Sequence, residues 1–436
     1  MNTKIGIRHE DKYKMERRVP LIPKHVKKLL REGNFGIQVE SSPKRIFTGE
    51  EYEKAGAGVT GSLKDSSVIL GVKEMPVGYF EEGKTYIFFS HVIKGQSYNM
   101  PMLADMMKNK CNLIDYEKIT DEQGKRLIFF GRFAGLAGMI NSLWSLGQRL
   151  KYYGIETPFL RISQAHTYAS LEDAKKDISL AGMEIAKNGL PEEICPLTIG
   201  FTGYGNVSNG AQEIAGLLPV KEISPQELLN LKTEKGLPTN VVYKTVFYEK
   251  DLSKPKDPEG EFDLADYYAH PEKYEDQFRQ YIPHLSVLMN CMYWDERYPR
   301  IVTKDHLEKL YKMGRPKLTV IGDITCDPDG SIECTHKGTE IEDPVFVYNP
   351  FTREPVMGFE GDGLLVMAVD ILPSELPRES SIAFSEALLP YIPAIAAADL
   401  DKPFGELDLP GPIKRAMILH KGELTPDFQY IRDYLG

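Results

Sequence analysis

Tryptophan occurs only twice in this chain of 436 residues, and cysteine only five times. Cys111, Cys195, Cys291, Cys326 and Cys334 are odd in number and form no CxxC pair, which argues against both a disulfide framework and a zinc site. Cys326, Cys334 and His336 fall close together, but their spacing fits none of the usual zinc patterns, and no metal is expected. Positive charge is also short. Lysine and arginine number 53 against 63 acidic residues, a net charge of −10, which speaks against a general affinity for nucleic acid. An anionic ligand would need a local cationic site rather than the overall field. The opening MNTKIGIRHEDKYKMERR has no apolar core of a signal peptide, and no run of 18 apolar residues follows. These absences predict a cytoplasmic protein that does not engage a membrane.

What is present is an ordinary globular composition, 42% apolar and 27% charged, in a length that suits two domains. Short apolar runs alternate with helical patterns. KIGIR (4–8), IQVE (37–40), SVILGV (67–72), TYIFFS (85–90) and NLIDYE (112–117) read as strands. PKHVKKLLREG (23–33) reads as an amphipathic helix closed by Gly33. This alternation predicts an α/β fold with mostly parallel sheets. A first unit is expected over 1–135, and a long Gly/Ala-rich helix follows from Gly135. A second unit is expected over 136–379, interrupted by an irregular acidic, Tyr- and Pro-rich insertion at about 248–285, with SVLMNC (286–291) and KLTVIGDI (317–324) resuming the strands.

The stretch GFTGYGNVSNGAQEI (200–214) follows a buried-type strand and opens a helix, the setting of a dinucleotide-binding turn. Gly203, Tyr204, Gly205, Asn206 and Val207 are the expected pyrophosphate seat, although Ser208 stands where a third glycine is usual and Gly210 arrives two residues late. About twenty residues on, Lys221 and Glu222 offer opposite signals: a base welcomes a 2′-phosphate and an acid grips a ribose hydroxyl.

Longer motifs carry a resemblance. ERRVPLIPKH (16–25), LGVKEMP (70–76), YIFFSHVIKGQSYNMPML (86–103), FGRFAGLAGMIN (130–141), FTGYGNVSNGAQ (201–212) and EGDGLLVMAVDILPSELPRESS (360–381) resemble the lysine-ketoglutarate reductase portion of the bifunctional aminoadipate semialdehyde synthases. More distantly the chain is similar to lysine-forming saccharopine dehydrogenases and the alanine dehydrogenase and transhydrogenase superfamily. The resemblance implies two Rossmann-like domains separated by an active-site cleft, with about 380–436 returning to the first. It also implies a reaction, the NAD(P)H-dependent reductive condensation of lysine with 2-oxoglutarate to saccharopine or its reverse. A related opine or amino-acid dehydrogenase acting on another amine, such as ornithine, and a non-catalytic metabolite sensor are the alternatives. The cofactor expected is NADP(H) or NAD(H), with NADP(H) placed ahead. The chain lacks the glutamate-forming dehydrogenase half of the bifunctional enzyme, so a separate protein is expected to act downstream.

The resemblance places acid and base roles on Lys73 and His91. Each ends a strand where ligands of open α/β sheets bind, and imidazole titrates near neutral pH. A lysine among other cations loses basicity and becomes able to accept a proton. Arg18, with Arg17 beside it, matches a substrate-binding arginine whose planar fork suits carboxylates. Glu117 matches an acid that tunes a neighbouring Lys or His. Asp323 matches a residue lining the nicotinamide side, though a carboxylate there can equally cap a turn. Glu74 and Arg132 depart from the animal-type motifs, a sign that substrate preference has drifted.

Overall fold

A computed structural model describes residues 3–231 and 237–435. It divides the chain into two compact units, one formed by Met1–Phe130 with Pro377–Gly436 and the other by Gly131–Leu376.

The first unit begins with parallel strands β1 (Lys4–Ile7), β2 (Gly36–Glu40), β3 (Gly58–Thr60), β4 (Val68–Leu70), β5 (Thr85–Phe88) and β6 (Asn112–Asp115). All residues of β4, β5 and β6 are buried, as expected of strands covered on both faces. Helix α1 (Pro23–Glu32) starts with proline at its first position, where no amide hydrogen is needed, and buries Val26 and Leu29. Helix α2 (Gly49–Lys54) is set by a reciprocal Thr48/Glu51 capping box, and α3 (Met100–Lys108) buries four apolar side chains.

The second unit opens with α4 (Gly131–Tyr152), which starts four residues ahead of Gly135. Most of its residues are buried. Helix α5 (Leu171–Asn188) follows, capped by Ser170. Then come β7 (Leu197–Thr202), helix α6 (Asn206–Ala215), β8 (Val220–Glu222) and β9 (Val242–Phe247). The expected irregular insertion contains an ordered antiparallel ribbon, β10 (Ser253–Pro255) against β11 (Tyr274–Asp276). Strands β12 (Val287–Asn290), β13 (Val320–Asp323), β14 (Val345–Tyr348), β15 (Pro355–Met357) and β16 (Leu364–Met367) complete an eight-stranded sheet of order β15-β14-β16-β13-β12-β7-β9-β8. Only β14 runs against the others; β15, antiparallel to β14, runs with the rest of the sheet.

The late glycine of the turn is explained here. A Cβ on Gly210 would lie 2.1 Å from the carbonyl oxygen of Arg132, and one on Gly135 would lie 1.9 Å from that of Val207. Gly210 therefore lets α6 lie backbone to backbone on α4.

The chain then returns to the first unit. Strands β17 (Met417–His420) and β18 (Glu423–Leu424) extend its sheet to the order β18-β17-β6-β5-β4-β1-β2-β3, with β17 antiparallel to β6. The segment Pro377–Ala397 is long and apolar enough by composition to cross a membrane, with mean hydropathy 1.2. Its Phe384, Leu388, Ile392 and Ile395 are instead buried in the core of this unit.

Candidate active site

Carboxylates organise the first unit's strand ends. Lys73 and Glu74 follow β4, and His91 follows β5. The loop after β1 reaches them through Glu10, whose carboxylate accepts the amides of Val72 at 2.7 Å and Lys73 at 2.9 Å and so pins the backbone of Lys73. Burial, with the charge of Glu16 next, pushes the Glu10 carboxyl up to about 7 against those two hydrogen bonds.

Glu74 is the hub. Its Oε1 lies 2.7 Å from His91 Nδ1 and 2.7 Å from Lys12 Nζ. Burial alone would raise its pKa. The hydrogen bond and charge of His91, with the charge of Lys73 and the hydrogen bond of Lys12, outweigh burial and hold it near 2. His91 sits at φ +50°, a left-handed backbone that costs a non-glycine residue about 1–2 kcal/mol. Its carbonyl accepts a hydrogen bond from Asn99 at 3.3 Å. Lys73 Nζ lies 5.6 Å above the Tyr13 ring, and its charge is felt by both Glu16 and Glu74. A cavity of about 500 Å³ opens beside Glu74, lined also by Asp11, Lys12, Tyr98 and Asn99.

The expected carboxylate-binding arginines are placed differently. Arg18 is buried and turns its fork inward, with Nε and Nη2 on Glu16 at 2.8 and 2.6 Å and its face 4.2 Å from Phe130. Two of its donors are thus taken by an internal acid. Arg17 donates Nε to the carbonyl of Lys44 at 3.3 Å. Glu117 pairs with Arg126, while its amide donates to Asp115 at 2.7 Å. The second buried acid near His91 is Asp115, which accepts the amide of Ser90 at 3.0 Å and its hydroxyl as well. Burial raises the Asp115 pKa. Glu10, Lys12, Glu16 and Asp115 escaped the sequence reading. Their signal was placement: Glu10, Lys12 and Glu16 lie in the loop after β1 and Asp115 is the last residue of β6, all at the end of the sheet where ligands bind.

In the second unit Gly203 has φ +79°, which glycine alone adopts readily, and its amide donates to the Phe247 carbonyl at 3.0 Å. A Cβ on Gly205 would meet nothing within 4 Å among the described residues. Gly205 caps α6 without any side-chain bond, so the first-turn amides of Asn206 and Val207 face an open cradle beside the exposed Tyr204. Lys221 and Glu222 depart from expectation. They lie on the edge strand β8, one strand further out than β9, and Glu222 ties the Lys244 amine at 2.7 Å. Asp323 is buried, its oxygens accepting from Asn290 at 2.8 Å, Thr325 at 2.7 Å and Thr335 at 2.6 Å. These bonds brace the ends of β12 and β13.

Comparison with known proteins agrees with this architecture. The family model for the alanine dehydrogenase/PNT N-terminal domain matches residues 6–137, and that for the C-terminal domain matches 264–427. An α-aminoadipic semialdehyde synthase of Arabidopsis thaliana is 42% identical across 99% of this chain, which spans 41% of that protein's length. A saccharopine dehydrogenase [NAD(+), L-lysine-forming] of Neurospora crassa is 29% identical over 89% of this chain and 90% of its own. A solved L-alanine dehydrogenase superposes over the full length of both chains with a TM-score of 0.63 at 18% identity, a likeness of fold. With both domain models matched and this alignment to the semialdehyde synthases running nearly end to end, the chain belongs to the alanine dehydrogenase/PNT family, in the company of the semialdehyde synthases and saccharopine dehydrogenases.

Proposed function

We propose that this chain is an oxidoreductase that joins lysine and 2-oxoglutarate into saccharopine, or runs the reverse reaction, with NAD(H) or NADP(H). The observation that carries this reading is the single Glu74 oxygen shared by His91 and Lys12 beside Lys73. Joining an amine to a keto acid requires a deprotonated amine, and then loss of water from a carbinolamine. Groups that take and return protons must therefore lie together.

A carboxylate on Nδ1 fixes the proton there, which leaves Nε2 of His91 as the atom that exchanges with substrate. When Nε2 takes a proton, Glu74 stabilises the imidazolium that results. Lys73, its backbone held by Glu10, is the second exchanging group. The nicotinamide supplies the hydride when the dinucleotide is bound. The cradle at Gly205 and the uncapped amides of α6 fit a pyrophosphate. The names of the Arabidopsis and Neurospora relatives support the substrate assignment.

The test mixes purified protein with lysine, 2-oxoglutarate and each reduced dinucleotide, and follows loss of the nicotinamide's near-ultraviolet absorbance. Ornithine in place of lysine examines the choice of amine. Silence with both dinucleotides across a panel of amino acids overturns the proposal.

A further inference from the structure

We propose that the second unit carries a binding site for a small carboxylic acid with an apolar body, in the cavity where β7, β12 and β13 begin, with Arg315 and Lys317 as its anchors. The cavity measures about 360 Å³, the size of a small-ligand pocket. Leu197, the first residue of β7, lines it together with Ser286 just before β12 and Thr319 just before β13. The glycine turn at Gly203 lies past the other end of β7, a strand of 6 residues that spans ~20 Å. The cavity is therefore separate from the dinucleotide seat, and the proposal holds whichever reaction the protein runs.

The cations of this cavity lack counter-ions. Arg315 lays its guanidinium over the Tyr153 ring, 4.1 Å from the centroid, and among the described residues no carboxylate pairs with it. A guanidinium stacked by its face keeps the N–H groups of its rim for a planar acceptor such as a carboxylate. Lys317 donates to the His284 carbonyl at 3.1 Å and likewise pairs with no carboxylate among the described residues. Burial, with only the Cys195 thiol set against it, pushes the Lys317 amine down to about 8. A half-buried ammonium without a counter-ion is costly, and a bound anion removes that cost. The end of α4 is not what the two cations serve. The carbonyls of Arg149, Leu150 and Lys151 are already taken by the amides of Tyr153, Gly154 and Ile155. In a chain of net charge −10, these two side chains make the kind of local cationic site that an anionic ligand requires.

The rest of the lining selects the kind of anion. Leu146, Leu150, Ile155 and Ile194 give the cavity apolar walls, which a bare phosphate or sulfate would not cover. Glu193 adds a negative charge to the lining, which disfavours a second carboxylate on the ligand. A branched or aromatic monocarboxylate meets both conditions. 2-Oxoglutarate, with two carboxylates and no apolar body, meets neither.

The test is calorimetric titration of the full chain with 4-methylpentanoate, beside 4-methylpentanol, which keeps only the apolar body, and inorganic phosphate, which keeps only the charge. Saturable heat is expected with the acid alone. Arg315→Ala and Lys317→Met should each weaken its binding about tenfold, the worth of one charge-assisted hydrogen bond. Location is read separately on the wild type. The acid should slow acetylation of Lys317 by acetic anhydride while the exposed Lys187 reacts as before, followed by peptide mass spectrometry. Added NADH should leave the affinity for the acid unchanged. No heat with the acid, equal binding of the alcohol or of phosphate, an affinity untouched by either substitution, or Lys317 left unprotected overturns the proposal. So does displacement of the acid by NADH, which would put it in the dinucleotide seat.

Discussion

His91 and Glu74 meet through Nδ1 and Oε1 at 2.7 Å, although the chain must adopt a left-handed backbone at His91 for the imidazole to be there. A strained residue that is nonetheless fixed by a buried carboxylate is one whose orientation matters more than its conformational comfort. Replacing His91 by Ala, or Lys73 by Met, is expected to lower turnover by about 10²-fold or more. Steady-state rates with saturating substrates check this, and wild-type rates in either variant would remove that residue from the proton transfers.

Glu74 also ties stability to acidity. Its carboxyl is held near 2 in the folded protein against 4.5 for a free glutamate side chain. The depressed value means the folded state keeps this group charged, so its contribution is present above pH 4.5 and disappears as pH falls towards 2. Glu74→Gln is expected to lose part of the neutral-pH stability and to show a shallower decline on acidification. Urea midpoints measured from pH 6 down to pH 3 give the comparison.

Glu10 has the opposite sign. Its pKa is raised to about 7, so between pH 4.5 and 7 the folded state binds a proton that the unfolded chain has released. Stability from this group is greatest below pH 4.5 and declines until pH 7, by about 3 kcal/mol at most. Glu10→Gln should flatten that decline in denaturant titrations across the same window. An unaltered slope would show that the carboxyl is ionised throughout.

Three glycines of the second unit separate packing from ligand binding. Gly135→Ala and Gly210→Ala each drive a methyl group onto a neighbouring carbonyl, which outweighs the ~1 kcal/mol alanine gains as a helix former. Each should lower Tm by several degrees. Gly205→Ala meets open space, so Tm should stay within a degree or two while dinucleotide affinity falls about tenfold. Calorimetry and titration on the same preparations distinguish the two outcomes.

The strands were legible because apolar runs such as VILGV and LTIGFT have only one use in a parallel sheet, burial on both faces. The strand ends carrying Lys73 and His91 followed from the same runs. What spacing could not convey was lateral order. Residues 220–222 come first after α6 yet take the outer edge, because β9 is the longer strand and claims all six positions beside β7. Pairings were equally hidden. Arg18 looks free in ERRVP, but Glu16 two residues earlier returns to its fork. Glu10 reaches the backbone at Val72 and Lys73, 62 and 63 residues on, a relation with no local period to betray it.

The first unit is made from two stretches of chain separated by 246 residues. During synthesis, β6 emerges well before its partner β17, with the whole second unit between them. Until then the Asn112–Asp115 edge has unpaired backbone groups, the kind of surface that recruits stray strands. Completion of the first unit therefore waits on translation through β17, and a nascent polypeptide halted before Met417 would expose a sticky border that chaperones must shield.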